Sequence, residues 1–327
     1  MYPELFEIPF VHLTIKSYGL MLVIGFLSCV WLIRHLSRAF TPNPQFITNA
    51  ALYSLIGGVL GARLFFVIHY FDQFQSNPIE IFAIWKGGLE LAGGVVAAIL
   101  VIIFYLRYHK LPVRRYLDVL AIGLMLVLVF GRIGCFLNGC CYGKPTELPW
   151  GVRFPYYSFA YHSQTGADLE RNRPEPYLKL PDEFYGYTDE SGVRYSGLKP
   201  YKYLTEQQKI EVNQGKYRCL PIHPTQLYSS AMAAFWCLML YLFWRRARKI
   251  ELSDSSGRLF AKPGYTFALM FIVYGISRFL IEFLRDDNPF EFDGLTISQN
   301  IGIAMVVLGV ILTAVFNFTA PHDHELS

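Results

Sequence analysis

The chain has 327 residues, 53% of them hydrophobic and only 17% charged, a balance too apolar for an ordinary water-soluble domain. Lys and Arg number 29 against 25 Asp and Glu, and the resulting net charge of +4 is too small to supply a nucleic-acid surface. The charges fall in short segments and in one polar stretch at 144–218, which leaves the apolar residues in long runs.

A helix that crosses a bilayer needs about 20 predominantly apolar residues. Seven runs meet this, at 18–35, 47–70, 88–107, 117–136, 224–244, 264–284 and 295–317. They predict an all-α integral membrane protein of about seven transmembrane helices. No basic segment of a cleavable signal precedes the first run, so that helix is expected to direct its own insertion. Lys and Arg mark alternate loops: Arg34 and Arg38 after the first helix, Arg107, Lys110, Arg114 and Arg115 after the third, and Arg245, Arg246, Arg248, Lys249, Arg258 and Lys262 after the fifth. The second loop carries only Lys86, and the sixth, Asp286 to Gly294, is acidic. By the positive-inside rule the N-terminus lies outside and the C-terminus in the cytoplasm. The fourth loop, 137–222, is rich in Tyr, Pro, Gly and charge and reads as a small extracytoplasmic head between helices 4 and 5. It forms an insertion (144–222) within a single domain spanning 1–327, and a helix is expected within it at Glu206–Val212.

On this topology the polar residues of the spans gather near the outer ends. Tyr18 opens helix 1, Arg63 lies in helix 2, Glu90 starts helix 3 and Arg132 is near the end of helix 4. His223 and Gln226 open helix 5, Arg278, Glu282 and Arg285 close helix 6, and Ser298, Gln299 and Asn300 begin helix 7. At 1.5 Å rise per residue, Arg63, Arg132 and Arg278 would lie at similar depths of roughly 6–10 Å. An ionisable group at that depth costs about 2.5–3.5 kcal/mol to insert, which makes each a functional candidate. Together they predict one outward-facing cavity.

The segment Gly131–Gly143 carries four glycines and Asn138 around Arg132 and predicts a sharp bend or a close backbone approach. Arginine grips phosphate with two parallel donors, so a lipid headgroup site is expected there. Tyr274, Arg278, Glu282 and Arg285 recur at spacings of four, four and three and share one helix face. That stripe is either a buried Arg–Glu strut or, because two arginines face one carboxylate, an anion site. Arg132 could instead reach to the interface, and Arg63 could be structural. Asp118 is expected to pair locally with Arg114 and Arg115. His223 precedes Pro224 at a helix start and serves either as a cap or as a proton carrier. Cys29 and Cys237 lie in apolar runs and read as small buried hydrophobes. The spacing of Cys135, Cys140, Cys141 and Cys219 matches no four-ligand zinc site, and no metal or cofactor is expected. Cys140 and Cys141 could form a vicinal redox pair, and Cys219 either bridges to one of them or stays a free thiol beside a thiol-handling site.

The motifs Gly131–Gly134, Phe136, Asn138–Gly139 and Tyr142–Gly143 resemble the signature of the bacterial prolipoprotein diacylglyceryl transferase family. Ser17–Met21, Gly61–Arg63, Trp150–Pro155, His223–Tyr228, Arg278–Arg285 and Leu295–Gln299 resemble its other motifs, in family order. The resemblance implies a multi-pass protein of the bacterial inner membrane that transfers diacylglyceryl from phosphatidylglycerol to the lipobox cysteine of preprolipoproteins and releases glycerol 1-phosphate. Its partners would be phosphatidylglycerol, the lipobox-bearing signal peptides and the lipid bilayer. Arg132 and Arg278 are then expected to be catalytic, with His223 a candidate proton carrier; Glu90, two residues before Ala92, is a substitute proton acceptor or a partner for one of the arginines. Tyr18, Asn138, Glu282, Arg285 and Arg63 would join Arg132 and Arg278 in holding the headgroup. Ala92 stands where the family pattern has a histidine, and Cys135 and Cys140 also depart from that pattern, which leaves the base open. A non-catalytic or substrate-shifted paralogue and a lipid transporter are the alternatives; a transporter predicts inverted repeats, which the chain lacks.

Overall fold

The computed structural model describes residues 4–8, 13–41, 43, 45–75, 77–83, 88, 90–252, 262–290 and 294–319. The chain opens on a short antiparallel pair, β1 (Glu4–Ile8) and β2 (Leu13–Lys16), which runs directly into α1 (Ser17–Ser37). Then follow α2 (Gln45–His69), α3 (Leu91–Tyr108) and α4 (Val113–Asn138). The polar insertion holds α5 (Phe159–Thr165), the antiparallel pair β3 (Tyr185–Thr188) and β4 (Arg194–Leu198), and α6 (Glu206–Asn213). The chain ends with α7 (Thr225–Leu252), α8 (Tyr265–Glu282) and α9 (Ile297–Phe318).

Every expected span is a helix. Six of them (α1, α2, α4, α7, α8 and α9) are long and apolar enough to cross a membrane, and α3 adds the apolar run Val96–Tyr108. Their faces carry side chains that a water-soluble fold would cover: Trp31 is 67% exposed, Phe104 71% and Val310 57%. In hydrocarbon a helix satisfies every backbone group internally, so these faces need only be apolar.

Two boundaries differ from the sequence reading, each for a physical reason. The bend expected within Gly131–Gly143 falls late in that segment: α4 continues through Asn138, and the turn comes at Gly139 (φ 79°) and Cys141 (φ 60°). A glycine within a span costs less than breaking the helix there, and only the left-handed position at 139 requires one. α7 runs eight residues beyond the apolar stretch, so Arg245, Arg246, Arg248 and Lys249 ride on the last turns of a helix rather than a loop. Arg and Lys are good helix formers, and loss of hydropathy does not end a helix. The strands β1 and β2 were not anticipated. Lys86, Arg258 and the side chain of Ala92 lie outside the described residues.

The chain divides into two compact units. One comprises 1–26, 124–239 and 269–311; the other 27–123, 240–268 and 312–327. In the first, the insertion has a core of its own, built on Phe154, Tyr161, Phe184, Leu198, Val212 and Ile222. The expected helix at Glu206–Val212 is present, started by a reciprocal cap between Thr205 and Gln208. In the second unit, Gly61 of α2 and Gly93 of α3 let the two backbones approach closely. Here Asp118 corrects the sequence reading. Its carboxylate accepts from the backbone N–H of Gly264 at 2.7 Å and of Phe267 at 2.9 Å, capping α8. Arg115 pairs instead with Glu251 at 2.9 Å, and Arg114 bonds Thr319. The open amides at a helix start are better partners for a buried carboxylate than two guanidiniums that can reach other groups.

Candidate functional site

The first unit assembles the signature turn at the end of α4, the last two turns of α8, the loop that follows α8 and the first turn of α9. Arg132 lies within α4, half-buried, and among the described residues its guanidinium makes no hydrogen bond or ion pair. Arg132 and Arg278 line one narrow cleft together with Met125, Trp236, Tyr274 and Ser277. The free volume is about 20 Å³, room for about one water molecule.

Arg278 is held in place. It donates through Nη1 to Glu282 Oε2 at 2.7 Å and through Nη2 to Ser298 Oγ. Asn288 Nδ2 donates to the other Glu282 oxygen at 2.6 Å and to Ser298 at 3.2 Å. The carboxylate of Glu282 is 1% exposed and needs these donors, since an unpaired buried charge is costly. Arg285 lies 3.7 Å from Glu282 and grips Asp287 with two donors, at 2.8 and 2.6 Å. Three guanidiniums thus face two carboxylates, Glu282 and Asp287, and one positive charge is in surplus. The Leu295–Gln299 motif has a structural task as well: Thr296 and Gln299 form the reciprocal cap that starts α9 and presents Ser298 to Arg278.

The signature turn is fixed from both sides. Gln226 Nε2 donates to the Cys140 carbonyl at 2.7 Å and Thr225 Oγ1 to that of Cys141 at 2.8 Å. Gly143 bridges Arg285, and a Cβ at Gly143 would sit 2.5 Å from the His223 carbonyl oxygen, so only glycine fits. Asn138 is the last residue of α4. Tyr18 packs on Gly134, close enough to Arg132 and the three cysteines for their charges to act on it. Cys135, Cys140 and Cys141 come together, with Cys141 Sγ 3.8 Å from Cys135 Sγ. The Cys141 thiol is held well below the ordinary range by hydrogen bonding with Cys135 and Cys140, and then by Arg285 and Arg132. Cys140 and Cys141 also line a cavity of about 470 Å³ with Tyr142, His162, Ser163 and Asp287.

His223 sits near this turn, its Nδ1 3.4 Å from the Tyr228 hydroxyl, which in turn accepts from Trp150 Nε1 at 2.7 Å. Arg63 and Glu90 belong to the second unit. Arg63 spends Nε, Nη1 and Nη2 on the carbonyls of Ile81, Gly88 and Glu80, a pattern that pins a chain crossing. Glu90 precedes the first turn of α3, 3.5 Å from His69.

One expectation fails among the cysteines. Cys219 forms no disulfide; it is buried in the insertion core and bonds Gln164 and the Leu220 carbonyl. Cys140 and Cys141 are not bonded to each other either. The sequence reading also missed Asn288, Asp287 and the insertion's Arg173 and Arg171. Arg173 reaches the Asp286 carboxylate at 3.1 Å and Arg171 the Arg285 carbonyl at 2.7 Å. The loop after α8 read only as an acidic outer segment, and its three consecutive polar residues, Asp286–Asn288, were the available signal.

A family model described as prolipoprotein diacylglyceryl transferase matches residues 3–315. A phosphatidylglycerol–prolipoprotein diacylglyceryl transferase of Clostridium tetani is 29% identical over 318 residues, covering 97% of this chain and 99% of that protein. The proteins of that name in Rhodospirillum rubrum and Photorhabdus laumondii are 28% and 29% identical, over 98% and 90% of this chain and 93% and 86% of their own.

Proposed function

The chain belongs to the prolipoprotein diacylglyceryl transferase family, a premise from which we propose that it transfers the diacylglyceryl group of phosphatidylglycerol to the lipobox cysteine thiol of preprolipoproteins. It is a multi-pass membrane protein, and the outer-end positions of its site residues suit a reaction at the outer face of the bacterial inner membrane. The N-terminus then lies outside, the C-terminus in the cytoplasm, and the insertion on the outer side.

The observation that carries this reading is the guanidinium of Arg132, half-buried in a spanning helix, uncommitted to any described protein group, and beside Arg278 in one cleft. A buried cation without a partner is retained for a ligand that brings the negative charge. The headgroup phosphate is such a ligand. The acceptor sulfur attacks the glycerol carbon as its bond to the phosphate oxygen breaks, and the leaving phosphate gains charge. Donors already aimed at that oxygen stabilise the transition state by about 3–4 kcal/mol each, or ~10²–10³ in rate. Arg132 supplies free donors, Arg278 is oriented by Glu282 and Ser298, and Arg285 by Asp287. Tyr18 and Asn138 flank the headgroup. His223 takes the thiol proton.

Complementation of a conditional transferase-depleted bacterium, paired with a vesicle assay using phosphatidylglycerol and a lipobox peptide, tests the reading. Growth and a mass gain of one diacylglyceryl group on the peptide are expected. An inserted protein that does neither would reduce it to a lipid-binding relative.

A further inference from the structure

The mechanism leaves one cluster unused, the three thiols of the signature turn. Their sulfurs all lie within 4.8 Å of one another. Cys141 Sγ is 3.8 Å from Cys135 Sγ. Two thiolates bound to tetrahedral zinc at about 2.3 Å each are separated by about 3.8 Å, so this pair already has the spacing of two ligands on one ion. The backbone is built to keep them there. Cys135 lies on the last turn of α4, and Cys140 N donates back to its carbonyl at 3.2 Å. Cys141 occupies the left-handed region at φ 60°, which a non-glycine residue adopts at a cost. Thr225 and Gln226 clamp the carbonyls of the turn, so that cost is met by surrounding structure.

The surroundings suit the charge. Three thiolates around a divalent ion carry one net negative charge, and Arg285 and Arg132 are near enough to act on Cys141. Access is provided too. Cys140 and Cys141 form part of the wall of the 470 Å³ cavity, through which an ion and an acceptor peptide can reach the sulfurs. Three protein ligands with one side open is the arrangement of a catalytic rather than a structural site.

We propose that Cys135, Cys140 and Cys141 form a three-thiolate site for a soft divalent cation of the zinc class, whose open fourth position takes the acceptor cysteine. Binding of the ion releases the three cysteine protons to water. The acceptor thiol then binds the ion through sulfur and passes its own proton to the base, His223, because a coordinated thiol is deprotonated outright. Its sulfur lone pair forms the S–C bond to the glycerol carbon while the C–O bond breaks, and the electron pair leaves with the phosphate. The ion keeps its three cysteines and releases the thioether. The role of the fourth position rests on the transferase reading; the metal site does not.

Cobalt(II) reports on both parts. Full-length protein is purified in detergent under reducing, oxygen-free conditions and titrated with cobalt(II). We expect one equivalent bound, with the sulfur-to-metal charge-transfer absorption of three thiolates and the visible bands of a tetrahedral ion. Zinc should displace the cobalt and protect Cys135, Cys140 and Cys141 from alkylation in peptide mass mapping, leaving the labelling of the other cysteines unchanged. Cys135→Ser and Cys141→Ser should each abolish stoichiometric binding, and Cys237→Ser should retain it. A lipobox peptide should shift the visible bands, and its Cys→Ser version should not. Absence of cobalt binding, no zinc protection in the unsubstituted protein, or a Cys135–Cys141 disulfide in the reduced preparation overturns the metal site. Binding with no response to the peptide overturns the acceptor role. The vesicle assay separates the two readings: transfer by metal-free protein keeps the transferase and removes the metal, whereas stoichiometric cobalt without transfer does the reverse.

Discussion

Arg132→Ala and Arg278→Ala remove the same charge from the same cleft, yet the structure predicts different consequences for folding. Arg132 makes no protein hydrogen bond or ion pair among the described residues. Its loss should therefore cost little stability, since no hydrogen bond or ion pair is broken. Arg278 is the 2.7 Å partner of Glu282, whose side chain is 1% exposed. Removing one partner of a buried pair costs about 3–5 kcal/mol. The lower end applies here, because Asn288 and Arg285 stay beside the carboxylate. Both variants should lower transfer by ~10²–10³. Detergent-solubilised protein is assayed for thermal unfolding and, in parallel, for transfer in vesicles. Arg132→Ala should be stable and inactive, and Arg278→Ala inactive and destabilised. The pair Arg278→Ala with Glu282→Gln should recover stability without recovering transfer. Arg132→Lys should recover only part of the rate, since an ammonium lacks the two-pronged geometry. An Arg132→Ala protein that retains transfer would refute the assignment of this guanidinium to the leaving phosphate. One that unfolds with Arg278→Ala would refute the distinction drawn between the two.

Reporter fusions after residues 40, 112 and 255 should indicate cytoplasm and those after 76 and 180 the outside; a cytoplasmic signal at 180 would contradict the outward site. Gly143→Ala should destabilise the protein and abolish transfer, because its new methyl meets the His223 carbonyl at 2.5 Å; circular dichroism melts check it. Burial pushes the Cys219 thiol from its ordinary value of 9.0 to about 11. An acid whose folded pKa is raised contributes stability fully below pH 9 and loses it as pH climbs toward 11, worth about 3 kcal/mol. Cys219→Ser should flatten that alkaline limb in pH-dependent melts.

The spans were legible because hydrocarbon imposes a length and a polarity on any helix that crosses it, and neither depends on tertiary contacts. The pairing of Arg132 with Arg278 was legible for a related reason, since few charges survive in such runs and they gathered at corresponding ends. What the sequence hid was set by distant backbone. Asp118 looked like the partner of nearby arginines until α8 presented two free amides from nearly 150 residues away. The glycines of 131–143 looked like one bend, although α4 stays helical to Asn138 and a single left-handed glycine follows. The three cysteines stood out in the sequence, but their spacing does not show that their sulfurs meet. Here a helix end supplies one sulfur and a reversal of the chain brings back two more.

The bridge between Gly143 and Arg285, with Lys144 N donating to the Leu284 carbonyl at 2.8 Å, bears on biogenesis. The two halves of this contact are about 140 residues apart in the chain, so a ribosome adding ~5–20 residues per second makes the first half about 7–28 s before the second. During that interval the turn bearing Arg132 and three thiols is already synthesised, while the strand that will cover it is not yet made. The turn's contact with Leu284 and Arg285 therefore forms only after both segments have been synthesised.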